Sequence, residues 1–89
     1  MKAIISVLGH DRPGIIAKIS GCLYQNNLNI LDINQTIIGG FFTMVTIVDM
    51  SGMTCSFAEL SDEMNDIGKE LGVEVRLQRS EIFDAMHRL

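Results

Sequence analysis

Residues 29–50 read Asn-Ile-Leu-Asp-Ile-Asn-Gln-Thr-Ile-Ile-Gly-Gly-Phe-Phe-Thr-Met-Val-Thr-Ile-Val-Asp-Met, and their pattern decides the fold. From Asn29 to Ile38, Leu31, Ile33 and Ile37 fall on one face and Asp32, Asn34 and Thr36 on the other, the two-residue period of a strand. Gly39-Gly40 is a two-residue turn that tolerates positive φ, and Phe41 to Met50 is the returning strand. A helical pattern lies on each side of this hairpin. Before it, Pro13 opens a segment in which Ile15, Ile19, Cys22 and Leu23 share one stripe, with Asn26 and Asn27 suited to its C-terminal end. After it, Phe57, Leu60, Met64, Ile67 and Leu71 mark one face of a second helix. Ser56 with Glu59 forms a capping box ahead of that helix, and Gly72 stops it.

Outside the helices come two more strands. Ala3 to Leu8 is an apolar, β-branched run ended by Gly9, and Val73 to Arg79 alternates, with Val73, Val75 and Leu77 inward. The order β-α-β-β-α-β with right-handed crossovers predicts an α+β, ferredoxin-like sandwich. Its four antiparallel strands run in the order 4-1-3-2 and carry both helices on one face, so the other face is left uncovered. Residues 1–80 form this domain. Residues 81–89 form a short C-terminal helical tail, with Ile82, Phe83, Met86 and Leu89 along one stripe. The outer face of the second helix, with Glu59, Asp62, Glu63, Asp66 and Glu70, reads as a solvated acidic surface.

At 89 residues the chain holds one domain, and 47% hydrophobic against 20% charged residues is globular composition. Seven Lys and Arg against eleven Asp and Glu give a net charge of −4, which argues against nucleic acid or an anionic membrane as partner. Two cysteines, Cys22 and Cys55, are too few for a disulfide framework or a four-thiolate metal site. No apolar run approaches the roughly 18 residues of a membrane span. The expectation is a cytoplasmic protein with reduced thiols.

Three motifs resemble known sites and fail on chemistry. Gly9 to Gly14 has the spacing of a phosphate loop, but Ile15 and Ile16 stand where Lys and Ser or Thr must follow. Gly52-Met53-Thr54-Cys55 is half of a soft-metal loop; the second thiolate position is Ala58, and the motif precedes the second helix rather than the first. Gly39 to Val45 resembles an RNA-recognition strand, but Ile38 replaces its basic residue and Phe41 and Phe42 point to opposite faces. His10 and Asp11 lack a nucleophile at triad spacing, His87 sits beside Arg88 in the tail, and Cys22 lies on a buried stripe. No catalytic residue, metal site or cofactor is expected.

The loop between the first strand and first helix remains. Pro13 and Gly14 leave backbone N–H groups of Gly14 and Ile15 at a helix N-terminus, where the dipole favours a carboxylate. Asp11, just ahead, suits a ligand ammonium, and the two groups together suit a free α-amino acid. The plainer alternative is that Asp11 caps the helix and Gly14 permits helix–strand packing.

At this loop the chain resembles an ACT domain. The matching residues are Ile4-Ile5-Ser6-Val7, Asp11-Arg12-Pro13-Gly14-Ile15-Ile16, Asn27-Leu28-Asn29-Ile30, Asp32-Ile33 and the strand from Phe42 to Asp49, and the likeness covers about residues 2 to 79. It is most similar to the short free-standing members, and more distantly to paired domains of the glycine-cleavage regulator type. The resemblance implies a regulatory, non-catalytic module that binds an amino acid or related metabolite between two copies and acts on a partner enzyme. In serine-sensing members, an Asn before Arg-Pro-Gly and an Asn opening the second strand hold the ligand. Asn29 matches the second, Asp11 replaces the first, and Gly9 stands where a ligand-contacting His is found. The candidate ligand-binding residues are therefore Asp11, Arg12, Pro13, Gly14, Ile15 and Asn29. Some ACT domains bind nothing and serve only to dimerise, so a structural docking module is the alternative. A homodimer is expected through the uncovered face and the edge strand Asn29 to Ile38, with the tail stripe at or near the interface.

Overall fold

The computed structural model describes residues 2–79. Strand β1 (Lys2–His10) leads into helix α1 (Ile15–Gln25), strands β2 (Asn29–Ile38) and β3 (Phe41–Asp49) follow as a hairpin, and helix α2 (Phe57–Leu71) precedes strand β4 (Val73–Arg79). The four-stranded sheet runs β2-β3-β1-β4, which is the expected order read from the opposite edge, and every pairing is antiparallel. The expected C-terminal helix at residues 81–89 lies outside the described residues.

Alternation along β1 and β3 builds the core. Ala3, Ile5 and Val7 of β1 and Phe42, Met44 and Val48 of β3 are buried on the helix-bearing side. Ile15, Ile19, Cys22 and Leu23 of α1 and Leu60, Met64 and Leu71 of α2 close over them, with Val73 and Val75 of β4. Phe41 is exposed on the other face while Phe42 is 3% exposed in the core. Gly68 is buried because α2 presses close to β4: a Cβ there would stand 2.7 Å from the Val73 carbonyl oxygen. Thr46 is also in the core, and its hydroxyl has no hydrogen-bond partner among the described residues.

The hairpin turn is made by Gly39 and Gly40, at φ 58° and 83°, the two positive-φ positions such a turn needs. Several local expectations are corrected. β1 continues past Leu8 to His10, because Gly9 and His10 keep their ladder partners Phe42 and Phe41. α1 begins at Ile15 rather than Pro13, since Gly14 sits at φ 93°, outside helical space. A β-bulge falls between Ile30 and Asp32, so the β2 residues paired with the buried Phe42, Thr46 and Val48, and on their side of the sheet, are Ile37, Ile33 and Ile30 rather than Leu31. All ten residues of β2 are exposed, because β2 is an edge strand that the helices barely cover, whereas α2 packs on the other edge strand, β4.

The acidic face of α2 is exposed at all five positions, as its helical phase requires, and three of its carboxylates also make specific contacts. Glu59 completes the capping box with Ser56, and Glu70 pairs with Lys18 of α1 at 3.4 Å. Glu63 accepts hydrogen bonds from Asn26 Nδ2 at 2.6 Å and from Cys22 Sγ at 3.1 Å. No described helix is long and apolar enough to cross a membrane.

Candidate functional site

The loop between β1 and α1 is pinned on two sides. His10, the last residue of β1, stacks on Phe41 with ring centroids 4.7 Å apart. The Asp11 N–H then donates to the Gly40 carbonyl at 2.9 Å, tying the loop to the hairpin turn. On the other side, Arg12 Nη1 donates to the Leu71 carbonyl at 3.1 Å, satisfying a C-terminal carbonyl of α2. Arg12 therefore spends one donor on the fold, and the sequence gives no sign of this, because its acceptor is 59 residues away.

Between these two ties the chain turns through Pro13 and Gly14 into α1. Gly14 is the N-cap, in the left-handed region, and its carbonyl accepts the Lys18 N–H at 2.9 Å. No side chain caps this end and no acidic residue occupies the first turn. The first N–H groups of α1, beginning with Ile15, thus present the positive end of the helix without a built-in anion. Ile15 itself is buried at 2% and anchors the turn, while Asp11, Arg12, Pro13 and Gly14 are exposed.

Both halves of the plainer alternative fail here. Asp11 does not cap α1, and its side chain makes no hydrogen bond among the described residues. Gly14 is not a packing residue, since a Cβ there would meet nothing within 4 Å. The open space over an uncapped helix N-terminus, with a carboxylate side chain three residues ahead, can take an anion and a cation on neighbouring atoms of one small molecule.

Asn29 is not part of this cluster within one chain. It pairs with Asp49, which pairs with Lys2, the first residue of β1. Asp11 follows His10 at the other end of the same strand. Eight residue steps separate the two ends, or about 27 Å. The sequence suggested a shared role for Asp11 and Asn29, and the register sets them at opposite ends of the sheet.

The thiols contribute no reactive centre. Burial, together with the hydrogen bond to Glu63 and that carboxylate's charge, pushes Cys22 up to about 12. Burial and nearby Glu63 and Glu59 also raise Cys55. Both cysteines are held as neutral thiols, and the thiolate is the nucleophile. Asp49 is lowered by the hydroxyl and N–H of Ser51, which both donate to it. No three His, Cys, Asp or Glu side chains come together as metal ligands among the described residues.

Comparison with known proteins shows the family and the fold. The family model described as the ACT domain matches residues 2–78. A UPF0237 protein of Bifidobacterium longum is 48% identical over 88 residues, spanning 99% of this chain and 98% of that one. The solved structure of an ACT domain protein from Streptococcus pneumoniae superimposes with a TM-score of 0.81 at 41% identity, covering 98% of both chains. A protein provisionally assigned as a glycine cleavage system transcriptional repressor shares the fold, with a TM-score of 0.74 at 21% identity over 88% of this chain and 44% of its own.

Proposed function

The chain belongs to the ACT domain family, whose members generally serve as regulatory, ligand-binding modules, and on that premise we propose that it is a non-catalytic sensor binding a small amino acid between two copies of itself. The observation that carries this reading is the N-terminus of α1, uncapped, opened by Gly14 at φ 93° and flanked by the exposed Asp11. The ligand carboxylate takes the Gly14 and Ile15 N–H groups, and its ammonium takes Asp11.

The register supports a site shared between chains. A two-fold axis that sets β2 antiparallel to the β2 of a second copy brings the Ile38 end of one strand to the Asn29 end of the other. Ile38 adjoins the Gly39-Gly40 turn, and Gly40 holds Asp11. Asn29 of the partner subunit then reaches the loop that its own chain's Asn29 cannot. Pairing of β2 edges also removes from water Ile30, Leu31, Ile33, Ile37 and Ile38, each between 38% and 72% exposed in one chain.

Thermal unfolding of the pure protein against each proteinogenic amino acid tests the proposal. A sensor working near metabolite levels has a Kd between micromolar and millimolar, roughly −8 to −4 kcal/mol. Ligand at a hundred times Kd stabilises by about 2.7 kcal/mol, and the midpoint then rises by about 10 °C or more. If no amino acid moves the midpoint even at ~100 mM, a hundred times the weakest Kd of that range, while sedimentation still shows a dimer, the chain is a structural dimerisation or docking module for a partner enzyme.

A further inference from the structure

The sheet has a second face that neither described helix covers. Ile4, Ser6 and Leu8 of β1, Thr43, Val45 and Ile47 of β3, and Glu74, Arg76 and Gln78 of β4 point to it, as the ladder registers require. Leu8 is 52% exposed, Phe41 49% and Val45 43%, and an open groove of about 360 Å³ runs between Ser6, Leu8, Thr43, Val45, Arg76 and Gln78. We propose that residues 80–89 of the same chain lie across this face, with Ile82, Phe83, Met86 and Leu89 turned onto it.

Four observations carry the assignment. First, β4 ends at Arg79, opposite Ala3, so the chain leaves the edge of the sheet beside Ile4. On the helix side that exit is taken, because α2 packs on β4 and the Arg79 guanidinium lies over the Phe57 ring, 4.7 Å from its centroid. Second, shielding of the open face is graded from the exit: Ile4, paired with Gln78, is 6% exposed, whereas Leu8, paired with Glu74, is 52% exposed. Third, the length fits. Ala3 to Leu8 is five strand steps, about 17 Å, and ten residues span about 15 Å as a helix and more when extended.

Fourth, the charges fall in matching order. Moving back along β4 from the exit, the face presents Gln78, then Arg76, then Glu74. The following segment carries Glu81 and Asp84 first, then His87 and Arg88. Arg76 and Glu74 form an ion pair with each other at 2.9 Å, and the acidic and basic parts of the segment extend that pair on its Arg76 and Glu74 sides. The occupant is tethered directly to the face, so it competes at high effective concentration and loses no translational freedom on docking, as a second molecule does. The face is thereby closed within one chain, and the β2 edge is left as the surface for a second copy.

The test uses the full chain with Phe83→Asp, followed by dye binding and sedimentation, beside nuclear Overhauser contacts measured on the unaltered protein. The expected result is a several-fold rise in binding of a hydrophobic dye with the assembly state unchanged. In the unaltered protein, the Phe83 ring should contact Ile4, Leu8 or Val45 methyls, and these contacts should vanish from the isotope-filtered spectrum of a mixed labelled and unlabelled sample. Contacts that persist in the filtered spectrum place the segment on another copy and overturn the proposal. So does dissociation of the assembly by Phe83→Asp, or the absence of any such contact. The spectra of the unaltered protein decide the matter even where the variant fails to fold.

Discussion

Separating Asp11 from Asn29 by about 27 Å in one chain makes a prediction that only an intersubunit site can meet. Take two full-length variants, Asp11→Asn and Asn29→Ala, carrying different affinity tags, and isolate the mixed dimer. Loss of the hydrogen bond to the ligand ammonium costs about 1.5–3 kcal/mol and loss of the neutral one at Asn29 about 0.5–1.5 kcal/mol. In a shared site the mixed dimer holds one site with both losses, about 2–4.5 kcal/mol weaker, and one site with none. Calorimetry should then read about one ligand per dimer at unaltered affinity, with the second site silent over the same range. Neither parental dimer shows that component. A mixed dimer with no site of unaltered affinity would refute the arrangement, because that is what a site confined to one chain produces. The same titration on the Asp11→Asn parent separates binding from folding. Asp11 is exposed and its side chain is unbonded among the described residues, so its unfolding free energy should fall by no more than about 0.5 kcal/mol. Asn caps a helix about as well as Asp, so the cap itself is tested with Asp11→Ala, where a loss of about a kilocalorie or more would return Asp11 to the role of a cap.

Two further outcomes follow from the core. Thr46→Val replaces a buried hydroxyl that has no partner among the described residues, so it should stabilise the fold by about 1 kcal/mol and raise the melting midpoint by about 4–8 °C; a lower midpoint would show that the hydroxyl is satisfied. Cys22 titrates near 9 when unfolded and about 12 when folded, so between those values the unfolded chain binds fewer protons and stability falls as pH rises, by a few kcal/mol at most. Denaturant unfolding from pH 8 to 11 should show this loss in the native chain and a shallower one in Cys22→Ala; parallel curves would rule out Cys22 as its source.

Most of the fold was legible because local and long-range preferences agree along most of the chain. The stripe Ile15, Ile19, Cys22 and Leu23 is buried as its spacing requires, and Ser56 with Glu59 starts α2 where the capping box stands. The misreadings share a cause, which is that pairing and reach are set by partners distant in sequence. The bulge at Leu31 arises where β2 meets β3, and nothing in the alternation of β2 alone marks the slip. Glu63 belongs to the outer side of α2 by helical phase, yet its carboxylate crosses to Asn26 and Cys22 on α1. Exposure of all ten β2 residues reflects an edge position with little helix over it, and hydrophobic periodicity alone does not report which edge strand the helices cover.

The site divides along the same line. Gly14 and Asp11 could be read as a ligand-binding turn because the chemistry of a helix N-terminus is local: a left-handed glycine, a missing cap and a nearby carboxylate all lie within four residues. Arg12 could not be assigned in that way. Its guanidinium meets the end of α2, so the loop's conformation depends on an element 59 residues on, and a ligand that displaced this contact would loosen the junction of α2 with β4. Asn29 is the opposite case. Its candidacy came from a likeness in sequence, and its distance from Asp11 follows from strand register alone. Register therefore turns a pair of candidate residues into a statement about assembly. If both act on one ligand, two chains must meet, and the exposed apolar edge of β2 is where an antiparallel pairing brings the two ends together.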